Sequence, residues 1–186
     1  MKSGIANRGG WKMELRLLML GFVLLIFGAC NSLDSAPTEK SEYQKRNEAF
    51  VEEVAKGTMG YKSLKFLNHP TPIYYKELPK VPVEATEYTY PFQNSEVRIL
   101  LSGRRIDGII FQPSELMNVV IYDQDKQGYD LGIVEGLRYA LLSMTVGDHW
   151  EVVVPYSLGY GQYQKGDIPA YSTLIFDVQL LRISKP

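Results

Sequence analysis

Residues that commonly carry out chemistry are few in this chain, and they are scattered along it. Its two histidines, His69 and His149, fit solvated or loop positions, and its single cysteine is Cys30, so a metal site built from histidine and cysteine is not expected. Neither a Gly-x-Ser-x-Gly nucleophile elbow nor a Gly-Lys-Ser/Thr phosphate loop occurs. The carboxylates that fit turns or a helix start are Asp107, Glu135 and Asp148. The sequence therefore predicts no catalytic nucleophile, no metal and no cofactor.

A tyrosine-rich loop is the stretch best suited to bind another molecule. It lies within residues 152–181, between a β-prone run that ends at Pro155 and a second run in which large apolar residues alternate. The large side chains in the loop are Tyr156, Tyr160, Tyr163, Ile168 and Tyr171. Because binding residues are often carried by loops held between strong strands, this loop is the first candidate for a binding site.

Composition places the chain among ordinary globular proteins. Its 186 residues are 45% apolar and 22% charged, which suits one main domain with a sizeable core. The formal net charge is −1, and no cluster of lysine and arginine is interleaved with aromatic residues. Nucleic acid is therefore not an expected partner.

The N-terminal segment carries the signals for export and for attachment to a membrane. A basic start precedes an apolar run at 15–27, which is shorter than the roughly 20 residues that a transmembrane helix needs. Small residues then lead to Cys30, and residues 1–29 fit a secretory signal peptide. The segment resembles the bacterial lipoprotein signal, which implies a lipid on Cys30, a polar tether over 30–40, and an exported, membrane-anchored protein that faces the periplasm or the cell surface. A plain signal peptide with an incidental cysteine is the alternative.

Residues 41–71 are expected to form a helix and a connector ahead of the main domain at 72–186. Ser41 and Gln44 have the spacing of a capping box at the start of a helix predicted over 41–56. The apolar stripe of this helix is narrow. The helix is therefore expected either to dock on the domain or on a partner, or to act as a semi-independent linker.

The main domain combines several predicted strands with one helix. The β-prone segments are 73–78, 97–101, a run at 109–111 expected to be buried, 117–122 and 150–155. Apolar residues at i, i+3, i+4 and i+7 predict a core-facing helix over 135–144. A polar turn at 123–128 imitates the opening of a calcium loop, but the twelfth position holds Val134, where calcium needs a bidentate glutamate. These elements predict an α+β domain in which a curved antiparallel sheet packs on the helix.

One series of short motifs runs through the domain in order. The motifs are Leu101-Ser102-Gly103, Asp107-Gly108, Phe111, Ile133-Val134-Glu135-Gly136-Leu137, Ala140-Leu141, Met144, Val146-Gly147, Tyr160-Gly161, Ile168-Pro169, Leu174 and Phe176-Asp177-Val178. In order and spacing they resemble the FKBP-type peptidyl-prolyl isomerases over about residues 72–184. The resemblance implies a half-barrel sheet wrapped over one short helix, with a proline pocket between them.

The resemblance also implies roles for individual residues. Tyr160 matches a hydroxyl that hydrogen-bonds a substrate carbonyl, Val134 matches a backbone N–H that binds another carbonyl, and Phe111 matches an apolar wall at the reacting bond. The positions implied to contact the substrate are Leu101, Gln112, Ile133, Leu137, Ile168 and Phe176.

Several of these positions depart from the family pattern. Leu137 stands where the family has a tryptophan floor, Leu101 where it has a tyrosine, and Gln112 where it has an aspartate. Val119 and Ile121 are the nearest candidates for an aromatic residue expected on the next strand. The expected site is apolar, but less aromatic and less polar at its rim than is usual for the family.

The function implied by the resemblance is isomerisation of Xaa-Pro bonds in exported proteins as they fold, with weak activity as one expectation. The substrates would be proline-containing polypeptides. Two alternatives come from other classes: a non-catalytic module that uses the same pocket to hold a protein, and a structural surface lipoprotein whose pocket is filled by its own side chains.

Overall fold

The computed structural model describes residues 39–66, 69–84, 88–121 and 132–185. The predicted signal peptide, Cys30 and the polar turn at 123–128 lie outside these ranges. The elements in chain order are helix α1 (Glu42–Ala55), strands β1 (Lys62–Leu64), β2 (Ile73–Leu78), β3 (Glu96–Arg105) and β4 (Ile110–Val120), helix α2 (Glu135–Ser143), strand β5 (His149–Val154), a 3-10 turn (Tyr156–Leu158) and strand β6 (Leu174–Lys185). No helix within the described ranges is both long and apolar enough to cross a membrane.

The described strands form one antiparallel sheet in the order β1-β2-β5-β6-β3-β4. Strands β5 and β6, the two arms of the tyrosine-rich loop, are direct neighbours and pair Val152 with Phe176 and Val154 with Leu174. The predicted alternation is confirmed, because Leu174, Phe176 and other even-numbered residues of β6 belong to one buried cluster. The architecture confirms the predicted α+β class with an N-terminal helix.

Helix α2 packs on one face of the sheet and supplies part of the core. Its apolar stripe of Leu137, Ala140 and Leu141 is buried in one cluster with residues of β3, β5 and β6. Burying a leucine side chain stabilises the fold by about 1.5–3 kcal/mol, so this stripe fixes the helix against the sheet. The approach is closest at Gly136, where an added Cβ would lie 2.5 Å from Cγ1 of Val154.

Helix α1 packs on the opposite face of the sheet. Val54 of the helix is fully buried in a second cluster with Tyr74, Val153 and Ile175. Of the alternatives expected for this helix, docking on the domain is the one that the structure shows. The Oγ of Ser41 caps the helix by accepting the N–H of Gln44 at 3.1 Å, as the capping box predicts.

The run at 109–111 is more exposed than expected, and that prediction was wrong. Ile109, just before β4, is 50% exposed, and Ile110, the first residue of β4, is 66% exposed; β4 is the edge strand of the described sheet, so side chains at its start have a neighbouring strand to pack against on one side only. The same edge position explains why β4 continues through Pro113, where an interior strand would lose a hydrogen bond. The two β-prone segments predicted around this proline are therefore parts of one strand.

The isolated carboxylates have the structural roles expected of them. Asp148 accepts hydrogen bonds from the backbone N–H and the hydroxyl of Thr145. It also forms an ion pair with Lys80, with Nζ 2.9 Å from Oδ1. Burial alone would raise the pKa of Asp148, but these bonds outweigh burial and hold the pKa below its ordinary value. In α2, Glu135 accepts a hydrogen bond from Tyr139, and burial together with this bond raises the pKa of Tyr139 to about 12.

The histidines have different environments. His69 forms a local turn in which its Nδ1 lies 3.2 Å from the N–H of Thr71, as expected for a loop residue. His149, by contrast, opens β5, and its Nε2 lies 2.8 Å from Oδ1 of Asp177 on the neighbouring strand β6. The loop assignment for His149 was therefore wrong, because the strand begins at this residue.

We expect Gly136→Ala to destabilise the fold by about 1–3 kcal/mol, since the β-branched Val154 has little freedom to move away from the added methyl group. Urea denaturation followed by circular dichroism measures the change. Ser143→Ala, at the exposed end of the same helix, is the matched control and should change stability by less than about 0.5 kcal/mol. An unchanged urea midpoint for Gly136→Ala would contradict the close approach of α2 to β5.

Candidate functional site

A cavity of about 360 Å³ opens between strands β3, β4 and β6, the start of α2 and the β5–β6 loop. It is lined by every residue that the sequence singled out as catalytic or substrate-binding: Leu101, Phe111, Gln112, Ile133, Val134, Leu137, Tyr160, Ile168 and Phe176. These residues span 76 positions of the chain, from 101 to 176, so only the fold brings them together.

An aromatic pair forms one wall of the cavity. The rings of Phe111 and Phe176 meet edge to face, with centroids 5.7 Å apart and planes at 86°. Gly103 of β3 makes this arrangement possible, because a Cβ there would lie 2.6 Å from the Phe111 ring and 3.1 Å from the Phe176 ring. The glycine thus places the Phe111 ring over the strand beside the cavity.

The floor of the cavity is aliphatic. Leu137 is 1% exposed and Leu101 is 3% exposed, and both belong to the main core cluster. The floor is therefore continuous with the packed interior, whose side chains have little room to move. It offers a rigid apolar surface without a polar group.

The start of α2 brings Val134, with its backbone N–H donor, to the cavity. Val134 is the N-cap residue, with an extended backbone at φ −70° and ψ 155°. Its carbonyl accepts the N–H groups of Leu137 and Arg138, whereas its own N–H has no acceptor among residues 39–66, 69–84, 88–121 and 132–185. Because the first N–H groups of a helix need partners and carry partial positive charge, this donor suits a carbonyl oxygen of a bound molecule.

The β5–β6 loop brings Tyr160 and Ile168 to the cavity. The N–H of Gly161 donates to the carbonyl of Tyr156, and the carbonyl of Gly161 accepts the N–H of Tyr171, both at 2.8 Å, so the backbone next to Tyr160 is fixed. Ile168 is 5% exposed and exchanges two backbone hydrogen bonds of 2.9 Å with Lys165. The loop is thus held by its own backbone bonds.

Sequence reasoning missed part of the lining. Met117, in the second half of β4, also lines the cavity, while the two candidates named for that place, Val119 and Ile121, are buried in the core. Met117 lies six residues after Phe111, and the period of two would have placed both on one face. The remaining lining residues not predicted are Ile110, Gly132, Lys165, Gly166 and Asp167.

The polar groups of the rim are modest. Gln112 is half-buried, and its side-chain amide donates to the carbonyl of Pro113 at 3.2 Å. Lys165 and Asp167 contribute one charge of each sign. Within the part of the chain that the structure describes, no group of three or more histidine, cysteine, aspartate or glutamate side chains is placed to hold a metal ion. The arrangement suits binding of an apolar ring with an adjacent carbonyl.

The antiparallel sheet, the short helix on its inner face and the apolar cavity between them define an FKBP-like domain. The family model described as FKBP-type peptidyl-prolyl cis-trans isomerase matches residues 88–181, and the chain belongs to this family.

Similar proteins occur in bacteria. The chain is 36% identical over 98 residues to the FKBP-type 22 kDa peptidyl-prolyl cis-trans isomerase of Escherichia coli strain K12, which covers 52% of this chain and 45% of that protein. It is 34% identical over 88 residues to the probable FKBP-type 25 kDa peptidyl-prolyl cis-trans isomerase of Pseudomonas aeruginosa, covering 47% of this chain and 35% of that protein. The chain thus spans less than half the length of these curated relatives.

Solved structures share the fold. FkpA from Escherichia coli has a TM-score of 0.59 at 23% identity, covering 97% of this chain and 75% of that one. A peptidyl-prolyl cis-trans isomerase from Pseudomonas syringae has a TM-score of 0.58 at 24% identity, covering 79% of this chain and 99% of that one.

We expect Gly103→Ala to weaken binding of a proline peptide, because the added methyl group displaces the Phe111 ring from the cavity wall. A shift of about 1 kcal/mol, the value of one aromatic pair, would weaken affinity roughly fivefold. The measurement is a titration of the domain with the peptide, followed by NMR. Ser102→Ala, one residue earlier and on the other face of β3, should leave the affinity unchanged. Equal affinities for wild type and Gly103→Ala would show that the Phe111 ring does not contact the peptide.

Proposed function

We propose that this protein catalyses cis-trans isomerisation of Xaa-Pro bonds in polypeptides. The observation that carries the proposal is that all the residues implied by the family resemblance line one cavity, where the N–H of Val134 has no acceptor within the described ranges of the chain. Membership of the family and the names of the relatives support it further.

The chemistry requires no reactive side chain. Rotation about the bond breaks amide resonance, a barrier of about 18–20 kcal/mol, and takes tens to hundreds of seconds without a catalyst. No covalent bond is made or broken, so the protein lowers the barrier by binding the twisted bond more tightly than either planar form.

The cavity provides the parts that such binding needs. The pyrrolidine ring of proline would lie on the aliphatic floor at Leu137, against the wall formed by Phe111 and Phe176. The N–H of Val134 and the hydroxyl of Tyr160 would donate to the carbonyls that flank the rotating bond. Fixing both carbonyls while the ring is held favours the twisted geometry.

Three residues that depart from the family pattern lower the expected rate of isomerisation. Leu101 and Leu137 give a smaller contact surface than aromatic residues would, and the amide of Gln112 lacks the negative charge of a carboxylate. A non-catalytic module that binds proline segments is therefore the second candidate function. A purely structural role is less well supported, because the cavity retains about 360 Å³ and its own side chains do not fill it.

An NMR exchange assay on a Xaa-Pro peptide tests the proposal. Exchange between the cis and trans forms should accelerate in proportion to the amount of protein added. Peptide binding without acceleration would identify the binding module, and neither binding nor acceleration would reject both functions.

Tyr160→Phe should lower kcat/KM by about two- to tenfold, the effect of losing one hydrogen bond of about 0.5–1.5 kcal/mol in the transition state. The same exchange assay measures it. Tyr163→Phe is the matched control, since Tyr163 lies in the same loop, is 63% exposed and does not line the cavity. A wild-type rate in Tyr160→Phe would remove the hydroxyl from the mechanism.

We further propose that the protein is an exported bacterial lipoprotein that assists the folding of proteins outside the cytoplasm. The proposal rests on the basic start, the short apolar run and the small residues before Cys30. Lipid chains on Cys30 would anchor the domain by burying methylene groups at about 0.8 kcal/mol each, and residues 30–40 would serve as the tether.

Cys30→Ser should abolish incorporation of labelled fatty acid and move the protein from the membrane fraction to the soluble fraction. Ser32→Ala, two residues along in the polar tether, is the control and should remain in the membrane fraction. Unaltered membrane association of Cys30→Ser would contradict the lipid anchor.

A further inference from the structure

The cavity wall at Ile168 is held from both sides through its neighbouring carbonyls. The carbonyl of Asp167 accepts a hydrogen bond from Nη1 of Arg105 at 3.1 Å. The carbonyl of Pro169 accepts a hydrogen bond from Oγ of Ser172 at 2.7 Å. Because these two residues flank Ile168 directly, the two bonds set where its side chain enters the cavity.

Both bonds lead to one side chain, Tyr43 of helix α1. Its hydroxyl lies 2.8 Å from Oγ of Ser172, and Tyr43 must be the donor, because the single hydroxyl hydrogen of Ser172 is given to Pro169. The guanidinium of Arg105 lies over the ring of Tyr43, with Cζ 5.7 Å from the centroid, which is a cation–π distance. Tyr43 itself does not line the cavity.

The same helix fastens the end of the loop. Asn47 is fully buried, and its Oδ1 accepts the N–H of Thr173 at 2.7 Å. Tyr171, two residues before Thr173, has a φ of 62°. This is a left-handed conformation that a tyrosine adopts only when its surroundings impose it. The N–H of Tyr171 donates to Gly161, the residue after Tyr160. The contact of α1 with Thr173 thus lies two residues from Tyr171, whose own bond holds the backbone beside Tyr160.

We propose that Tyr43 is a positioning residue, through which helix α1 holds Ile168 and the β5–β6 loop in the geometry that binds the substrate proline. The proposal rests on the proposed isomerase function. Its physical basis is that a binding wall displaced by a fraction of an ångström loses contact with the bound ring, so loops that form such walls need support from outside the site.

The variant Tyr43→Phe tests the proposal, because it removes the hydroxyl and keeps the ring beneath Arg105. We expect KM for a Xaa-Pro peptide to rise about three- to tenfold, with a smaller change in kcat, since the loosened wall first weakens ground-state contacts. We also expect the amide hydrogen of Tyr171 to exchange with solvent about tenfold faster, as local opening becomes easier.

Phe50→Leu is the matched control. Phe50 lies on the same helix and packs in the cluster with Val54, without a hydrogen bond to the loop. It should lower the unfolding temperature while leaving KM and the exchange of Tyr171 unchanged, which separates positioning from general docking of the helix.

The double variant Tyr43→Phe with Ser172→Ala gives a second measurement. If the hydroxyl acts through Ser172, the two changes in KM are less than multiplicative, because each breaks the same chain of hydrogen bonds. Multiplicative effects would overturn the proposed route.

Failure of the proposal and failure of the proposed function can be told apart. An inactive wild-type protein rejects the isomerase function, and the exchange of Tyr171 together with peptide affinity then tests positioning alone. Wild-type KM and wild-type exchange in Tyr43→Phe, in an active protein, would reject the positioning role and keep the function.

Discussion

The pairing of β5 with β6 is the constraint on which the rest of the structure depends. Where the two strands adjoin the loop, both are buried on both faces: Val152 and Val154 face helix α2, while Val153 faces helix α1. A strand pair covered in this way cannot shift its register by one residue without exchanging its two buried faces. The ends of the β5–β6 loop are therefore fixed in space, although the loop carries glycines and a proline. A surface loop becomes a suitable binding element when its ends are this rigid.

The two helices contribute to the site in different ways. Helix α2 contributes atoms directly, with Leu137 at the floor and the backbone of Val134 at the edge. Helix α1 lies on the other face of the sheet and contributes hydrogen bonds, chiefly from Asn47, which is fully buried with its side chain bonded at both ends. A buried amide that lost its partner would cost about 1–3 kcal/mol, so this contact makes the docked position of α1 specific as well as stable.

Much of the fold was predictable because its strongest signals are local. The period of two in β6 and the i, i+3, i+4 stripe of α2 each follow from one element packing on one core, and both were confirmed. Motif spacing also placed the lining residues together. The prediction that failed depended on neighbours that a sequence pattern does not reveal: Ile109 and Ile110 are apolar but lie at the start of an edge strand, where their side chains are exposed.

The cavity lining shows the same limit at finer scale. Met117 and Val119 share one face of β4, so alternation alone cannot decide which of them reaches the cavity. Which of the two residues lines the cavity depends on the register shifts between β3 and β4. These shifts lie between Leu101 and Arg104 of β3, and they displace the rest of β4 along β3. The residue types in the sequence are therefore enough to predict that an apolar pocket forms. Which side chain of the edge strand lines that pocket depends on a bulge that the sequence pattern does not reveal.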